Sequence, residues 1–370
     1  MKVLLYIVLA FVFMSATEGV AQEKRVSDED RVRQAIKLMD AGDAAIAIGI
    51  LQDVLTRLPG NGTVLFELAY AYRVNEQLDS AIEILEELVS RDTTEPMWFQ
   101  ALGTNYHFAG DADKAIDTYT EGLKHHPRSH LLYHERGVVY YSEQKWEEAV
   151  DDFERAIDLQ PMYPPPYLRL AEVFISSKTN NVWGMIYGEI FRNLEPTSKR
   201  SVALGDMLYR CYLKNIKQKS NGFSITFCSD ASIVQQDSGI GGTVYRKSRF
   251  PMPYGVGAYE MPMMLAVLGT RKMDMRSLAT IRGRFIEQLD TLKIDSIYGN
   301  NVLYDYQRKV HKAGHMEAYS FWAPQSGDAA AFAEWVADNG PAYKEFLSWH
   351  EVNTLSLTKG RRFLRKELYE

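Results

Sequence analysis

Residues 102–106 read Leu-Gly-Thr-Asn-Tyr, and residues 136–140 read Arg-Gly-Val-Val-Tyr, so a glycine and a tyrosine recur after 34 residues. One such step back, residues 68–72 read Leu-Ala-Tyr-Ala-Tyr, and a further step reaches Ala35. Self-similarity at a fixed period of this length is typical of stacked structural repeats. Four units therefore keep one register over about residues 28–163.

Each unit predicts two antiparallel helices. In its first half, apolar residues are spaced three and four apart, which places them on one helix face. In its second half, a small residue is followed four positions later by a large one, so that the two helices approach closely and fill the remaining volume. Glycine and aspartate mark the turn between the helices, and proline ends the second helix. The small and large pairs are Ala47 and Leu51, Ala81 and Leu85, Ala115 and Tyr119, and Ala149 and Phe153.

This pattern resembles the tetratricopeptide repeat family, whose members form a superhelix of such helix pairs. The resemblance covers about residues 28–216. It comprises four clear repeats, a degenerate fifth in which Trp183 occupies the small position, and a terminal helix over 198–216 that would cover the last apolar face. The resemblance implies a mostly α fold, with an α-α superhelical solenoid over residues 22–219.

In the tetratricopeptide repeat family, ligands usually lie on the concave face built by the first helices, where the second, fifth, ninth and twelfth positions of a repeat face the ligand. Chaperone-binding members use lysine and asparagine there to clamp a C-terminal carboxylate, and this chain has neither at those positions. The resemblance therefore implies an aromatic, weakly charged groove for apolar side chains and peptide backbone, unless some of these aromatic residues pack between repeats instead. The predicted groove residues are Phe66, Tyr70, Arg73, Gln100, Thr104, His107, His134, Val138 and Tyr141, together with Met97 and Leu131.

The first residues predict a secretory signal peptide over 1–21. Lys2 is followed by an apolar run at residues 3–14, and Gly-Val-Ala precedes the expected cleavage after residue 21. An uncleaved anchor is the alternative, although the run is short for a bilayer span. We expect an exported protein, periplasmic or secreted, with no stable membrane span after cleavage. Export would permit a disulfide, and whether Cys211 pairs with Cys228 is left open.

Residues 220–370 have a different character and resemble no family. Residues 223–227 predict a strand, the glycine-rich 239–242 a hairpin turn, and 243–245 a further strand. Together with the helical patterns, these predict a mixed, helix-rich α+β C-terminal region over 220–370. The helical patterns lie at 260–268, 275–292, 302–316, 328–337 and 342–351.

Few residues suit catalysis or metal binding. Cys228 would be a nucleophile with His311 or His315 as its base, but no nucleophile-elbow motif is present. His130 and His134 have the i,i+4 spacing of zinc ligands, yet no nearby Cys or Asp completes a set. His311 and His315 repeat the spacing without the glutamate that a zinc protease needs as its base. We therefore predict no catalytic residue, no metal and no cofactor.

The charge balance limits the partners. The formal net charge of −6 gives no support to a nucleic-acid or anionic-membrane partner. The repeats favour an exported scaffold or binding module for a protein or peptide, and not an enzyme. Two alternatives remain: a solenoid-tethered enzyme, such as a hydrolase of envelope material with its site in 220–370, and an envelope assembly component.

Overall fold

The protein is described by a computed structural model. The predicted signal peptide, residues 1–21, and the predicted turn and strand over 239–245 lie outside the described residues. The described residues are mostly helical, as predicted. Among them, no helix combines the length and the apolar character needed to cross a membrane. The structure describes residues 26–177, 179–220, 222–228 and 252–368.

The chain divides into two compact units, one ending at Ala109 and one beginning at Gly110. The division falls inside the predicted solenoid of 22–219, at the turn between the two helices of the third repeat. The predicted boundary near residue 220 concerns where the repeat pattern stops, and it stays a prediction.

Five helices make up the described part of the first unit, and their ends follow local capping rules. The side chain of Ser27 accepts a hydrogen bond from the backbone N–H of Asp30 (3.1 Å), and that of Asn61 accepts one from Val64 (3.1 Å). Gly42 ends the first helix in the left-handed conformation, with φ of +91°. The helices are α1 (Asp28–Ala41), α2 (Ala44–Arg57), α3 (Gly62–Val74), α4 (Leu78–Arg91) and α5 (Pro96–Phe108).

The small and large positions of the repeat form the core of the first unit. Ala47 and Leu51 of α2 are fully buried and share one hydrophobic cluster with Ala35 of α1. Ala81 and Leu85 of α4 are buried in the same way. The periodic residues of the sequence are therefore the residues that hold each helix pair together.

The second unit continues the repeats with six helices. Second helices of successive repeats begin at residues 44, 78, 112 and 146, at intervals of 34, whereas the next begins at 181, an interval of 35. The connection between α9 and α10, residues 177–180, is one residue longer than the connection over 143–145 in the preceding repeat. The helices are α6 (Ala112–His125), α7 (His130–Ser142), α8 (Trp146–Leu159), α9 (Pro165–Ser176), α10 (Asn181–Leu194) and α11 (Lys199–Asn215).

This extra residue explains why the fifth repeat departs from the pattern. Gly184 makes the close approach to the paired helix, since a Cβ at Gly184 would lie 2.7 Å from the backbone nitrogen of Ile175 in α9. Trp183 instead packs on Tyr254 and Phe363, with ring centroids 5.6 and 6.1 Å apart. The fifth repeat is therefore a true helix pair whose second helix also contacts the C-terminal region.

The C-terminal part of the second unit is helix-rich, and its described residues contain a two-stranded antiparallel sheet. The strands pair Ile216 with Ile225 and Lys219 with Gly222, so the strand predicted over 223–227 is present. The elements are β1 (Ile216–Lys219), β2 (Gly222–Ile225), a π-helix (Gly255–Glu260), α12 (Met261–Ala266), α13 (Met275–Thr291), α14 (Ile294–Tyr298), α15 (Val302–Lys312), α16 (Met316–Trp322), a 3₁₀ turn (Gln325–Asp328), α17 (Ala329–Val352) and a final 3₁₀ turn (Arg365–Leu368).

Backbone geometry accounts for the helix boundaries that differ from the predictions. The helix predicted over 302–316 ends at Lys312, because Gly314 adopts the left-handed conformation (φ +80°), and α16 begins after it. The last two predicted helices are joined as α17, with a kink at Asn339 (φ −124°), two residues before Pro341.

One hydrophobic core in the second unit runs from Ala149 in α8 to Leu364 near the C-terminus. Arg192 of α10 links its parts, because the buried guanidinium donates hydrogen bonds to the carbonyls of Trp322 (3.1 Å) and Ala323 (3.2 Å). The last carbonyls of a helix have no partners within it, so Arg192 caps α16.

Residues 354–364 form a strap that docks on the repeat helices of the second unit. Phe363 and Leu364 are buried in the core. Next to them, Arg362 forms an ion pair with Asp158 of α8 at 2.6 Å. The strap therefore completes the core of the second unit.

Candidate functional site

A groove with a volume of about 280 Å³ opens on the first unit. Its walls are the first helices of two successive repeats, α3 and α5, and α4 contributes to the lining between them. Tyr70 and Met97 are 39% and 41% exposed, so a ligand in the groove can contact both large side chains. The groove residues are Phe66, Ala69, Tyr70, Arg73, Leu85, Met97, Gln100, Ala101, Thr104 and Asn105.

Aromatic packing supports the apolar part of the groove. The ring of Phe66 lies 5.1 Å from that of Trp98, centroid to centroid, and Trp98 is buried. Leu85 of α4 is also buried. These residues give the groove a packed apolar base, which is the kind of surface on which an apolar side chain of a ligand is desolvated.

Arg73 is the only charged residue of the groove. Its guanidinium carbon lies 4.7 Å from the ring centroid of Tyr70 and 5.9 Å from that of Phe108, within cation–π range of both. Tyr70 and Arg73 are three residues apart on α3 and so share one helix face. Among the described residues, no carboxylate forms an ion pair with Arg73.

Asn105 adds a buried polar group to the lining. The residue is 2% exposed, and its Nδ2 donates to the carbonyl of Ala101 at 2.8 Å. Its Oδ1 has no hydrogen-bond partner within the described structure. A buried acceptor without a partner lowers the stability of the folded protein. A gain in stability therefore does not explain why an asparagine occupies position 105.

Six of the predicted groove residues line this groove: Phe66, Tyr70, Arg73, Met97, Gln100 and Thr104. His107 is on α5 but is not part of the lining, and its ring stacks on that of Phe108 at 6.4 Å. The structure therefore brings together most of the predicted residues of the first unit. That a ligand binds there stays a prediction.

The other four predicted residues, Leu131, His134, Val138 and Tyr141, lie on α7 in the second unit. His134 is buried between Phe153 and Tyr163, whose rings lie 5.6 and 5.5 Å away, so it does not line an open surface. Burial also lowers the pKa of His134 to about 3. Val138 and Tyr141 are half-buried, and Tyr141 packs on Trp146 at 5.3 Å. We therefore leave His134 out of the candidate site.

Sequence reasoning did not name Ala69, Leu85, Ala101 or Asn105 as groove residues. The family's ligand-facing positions select about one residue per helical turn. In this groove, neighbouring residues of the same turn, such as Ala69 beside Tyr70, also line the wall. The helix spacing i, i+3, i+4, i+7 starting at Phe66 would have added Ala69, and the same spacing from Met97 would have added Ala101. Leu85 comes from the second helix, which the family positions do not include.

The residues considered for catalysis are not assembled into a site. Burial raises the pKa of the Cys228 thiol, which disfavours a thiolate nucleophile. Nε2 of His311 lies 3.8 Å from Glu287, and His315 packs on Trp349 at 5.2 Å. Within the described parts of 222–368, no hydrogen bond joins Cys228 to either histidine. Both Cys211 and Cys228 are free thiols.

A cluster of three or more potential metal ligands is also absent from the described residues. His130 and His134, which have the spacing of zinc ligands, both pack edge-on against Tyr163, at 4.9 and 5.5 Å between ring centroids, and His134 is buried. These histidines serve packing within the repeats.

The second unit encloses a buried polar cluster around Glu189. The carboxylate accepts hydrogen bonds from Arg282 (2.7 Å) and Gln307 (2.8 Å), and from the hydroxyls of Tyr212 and Tyr319 (both 3.1 Å). Burial alone would lower the pKa of Arg282, but the charge of Glu189 raises it above its usual value. The adjoining cavity measures about 10 Å³, close to the volume of a single water molecule, so it is not a ligand site.

Comparison with known proteins supports the repeat assignment. A family model for the tetratricopeptide repeat matches residues 38–103, and a second one, for the TPR repeat, matches residues 137–176. No family model matches the C-terminal region.

Two curated proteins align with part of the chain. The BBSome complex member BBS4 homolog of Drosophila melanogaster is 26% identical over 133 residues, which are 36% of this chain and 27% of that protein. The antiviral innate immune response effector IFIT1 of Macaca fascicularis is 24% identical over an alignment of 162 positions, which covers 38% of this chain and 34% of that protein. The chain thus spans about a third or less of the length of these relatives.

Several solved structures are similar to part of the chain. A thermophilic TPR protein of Thermus thermophilus has a TM-score of 0.43 and 18% identity, covering 49% of this chain and 99% of its own. MamA has a TM-score of 0.39 and 23% identity, covering 44% and 94%. PilW, a type IV pilus biogenesis factor, has a TM-score of 0.43 and 14% identity, covering 50% and 84%.

The regular helix pairs, the small and large core positions and the two matches lead to one conclusion: residues 38–103 and 137–176 of this chain are tetratricopeptide repeats.

Proposed function

We propose that this chain is a protein-interaction scaffold and that the groove of the first unit binds an extended peptide segment of a partner protein. The observation that carries the proposal is the exposure of Tyr70 and Met97 along an apolar groove built by two first helices of the repeats. Exposing apolar groups of this size to water is unfavourable, and a partner's side chains that cover them would gain free energy by removing that surface from water.

The lining also suits a peptide main chain. Gln100 and Thr104 bring an amide and a hydroxyl to the wall formed by α5. Such groups hydrogen-bond the N–H and C=O groups of an extended segment, while apolar side chains enter the groove. A volume of about 280 Å³ accommodates a few side chains and not a folded domain.

Site-specific photo-crosslinking in the producing cells tests this function. A photoreactive phenylalanine analogue would replace Met97 in the groove or, as the matched control, Ile46, which is 57% exposed on α2 outside the groove. We expect position 97 to cross-link one recurrent partner segment, and a Tyr70→Ala change to reduce that product. Identical products from positions 97 and 46, or no product from position 97, would contradict the proposal.

We include export in the proposal because Lys2 and the apolar residues 3–14 precede a small-residue cleavage pattern. Expression of the full chain followed by mass measurement of the extracytoplasmic protein tests it. The expected product begins at Gln22, and a product that stays in the cytoplasm with residues 1–21 attached would be evidence against export.

A further inference from the structure

Arg73 sets the charge of the groove. The other nine lining residues are uncharged, and no described carboxylate pairs with the guanidinium. An arginine is always ionised at ordinary pH, so the groove carries one positive charge. An ion pair with a ligand there would gain more than on a flat surface, since groove walls reduce screening by solvent.

Aromatic rings hold this charge in place. The guanidinium lies over Tyr70 at 4.7 Å and near Phe108 at 5.9 Å, and contact with ring faces restricts the rotamers of a flexible side chain. Stacking uses the plane of the guanidinium and leaves its edge N–H groups available. Those groups form a fork that matches the two oxygens of a carboxylate.

The distance between the charged and apolar parts of the groove restricts the ligand further. Phe66 and Arg73 are seven residues apart on α3, which corresponds to about 10 Å along the helix axis. An extended peptide rises about 3.3 Å per residue, so about three residues span that distance. A bulky apolar side chain over Phe66 would therefore lie about three residues from the group at Arg73.

We propose that the peptide bound in this groove carries a carboxylate that pairs with Arg73, about three residues from a bulky apolar side chain that packs on Phe66. This inference rests on the proposed function, because it specifies the peptide that the groove takes. The carboxylate comes from an Asp or Glu side chain or from a chain end. In either case Arg73 forms charge-assisted hydrogen bonds with it, while the rings of Tyr70 and Phe108 hold the guanidinium in place.

Selection from displayed random peptides of about nine residues, about 30 Å when extended, tests the inference on the full chain. One library ends in a free carboxylate, and the other continues into a constant segment. We expect enrichment of Asp or Glu about three positions from an aromatic or large aliphatic residue. Enrichment only in the free-ended library would assign the carboxylate to a chain end, and enrichment in both would assign it to a side chain.

Three variants accompany the selection. Arg73→Gln should lose the acidic preference and keep the apolar one, whereas Arg33→Gln, an exposed arginine on α1 outside the groove, should keep both. Tyr70→Ala should lose the enrichment as a whole.

An enriched peptide is then synthesised for fluorescence anisotropy. Replacing its acidic residue by the amide should weaken binding to the parent chain about tenfold, the effect of one charge-assisted pair, and should leave binding to Arg73→Gln unchanged. Raising the salt concentration from about 0.05 to 0.5 M should weaken the binding of the acidic peptide more than that of the amide peptide, because salt screens the ion pair.

The outcomes separate the two proposals. Apolar peptides enriched without acidic residues, or an acidic preference that survives Arg73→Gln, would overturn the carboxylate inference and leave the groove as a peptide site. No enrichment by the parent chain, or equal enrichment by Tyr70→Ala, would overturn the proposed function itself.

Discussion

The groove of the first unit and the fifth helix pair of the second unit use the same repeat in opposite ways. In the groove, Arg73 lies over Tyr70 without a described carboxylate, and the neighbouring Met97 is 41% exposed. At the fifth pair, the carboxylate of Glu189 in α10 pairs at 2.7 Å with Arg282 of α13, whose guanidinium carbon lies 5.4 Å from the ring centroid of Tyr319 in α16. The second site is closed by the chain itself.

The difference shows what completes such a site. Both arginines lie against tyrosine rings, but Arg282 has its carboxylate within the chain, whereas Arg73 has none among the described residues. The closed site lies where the 34-residue interval changes to 35 and the C-terminal region packs on α10. In the first unit, the faces of α3 and α5 that line the groove stay open, which is the condition for binding a partner.

The largest expected effect comes from opening the closed site. Glu189→Ala should destabilise the second unit by about 3–5 kcal/mol, because it leaves Arg282 buried and unpaired. Urea unfolding followed by tryptophan fluorescence measures this. The exposed Glu287→Ala on α13 is the control and should change stability by less than about 0.5 kcal/mol. Equal effects of the two changes would show that the Glu189 pair is not what holds this site closed.

A smaller effect on stability is expected from replacing a glycine in the fifth helix pair, and the opposite effect from replacing one in a regular repeat. Gly184→Ala should destabilise by about 1–3 kcal/mol, because its Cβ would lie 2.7 Å from the backbone of Ile175. Gly49→Ala on α2 should stabilise by about 0.5–1 kcal/mol, since nothing lies within 4 Å of its Cβ and alanine favours a helix. The shift of the urea denaturation midpoint shows whether each variant is more or less stable than the parent chain. A stabilising Gly184→Ala would mean that α9 and α10 do not approach as described.

Acid should weaken the second unit through His134. Burial lowers its pKa to about 3 in the folded chain, while the unfolded chain has the ordinary value of about 6.5. Between these values the unfolded state binds a proton that the folded state does not, so stability falls as the pH decreases from about 6.5. The loss between pH 6.5 and 5.5 should be about 1 kcal/mol. His134→Leu should remove this contribution and leave that of His350, whose pKa burial also lowers, to about 4, whereas His125→Leu on the exposed end of α6 should leave both unchanged.

The smallest effect tests whether the open groove is kept at a cost to stability. Asn105→Leu has nearly the same shape and removes the unpartnered Oδ1, so it should stabilise the first unit by about 1 kcal/mol. Thermal unfolding measures the change. A decrease in stability would show that the Nδ2 bond to Ala101 outweighs the unpartnered oxygen.

The sequence predicted the regular part of the fold well, because each core position recurs with the period. Ala47, Leu51 and their equivalents are buried as expected, and the helix over 198–216 is present as α11 (Lys199–Asn215). Local signals also located α13 in the C-terminal region, where Asp274 forms a capping box with Ser277.

What could not be predicted depends on contacts between distant residues. Position 183 broke the period in the sequence, but only the structure shows Trp183 against Tyr254 and Phe363. The same holds for His134, which has a groove position in the repeat but is covered by Tyr163. Within the groove, the positions along one helix were predictable, whereas the unpartnered state of Arg73 depends on the absence of a described carboxylate nearby.

The docked strap has a consequence for biosynthesis. Phe363 and Leu364 belong to the core that begins at Ala149, so the ribosome must release almost the whole chain before this core closes. The first unit ends at Ala109 and has its own cluster around Leu51, which emerges early in translation. The two units therefore complete their folding at different times, and a nascent chain stalled before residue 363 would expose the aromatic surface of α10.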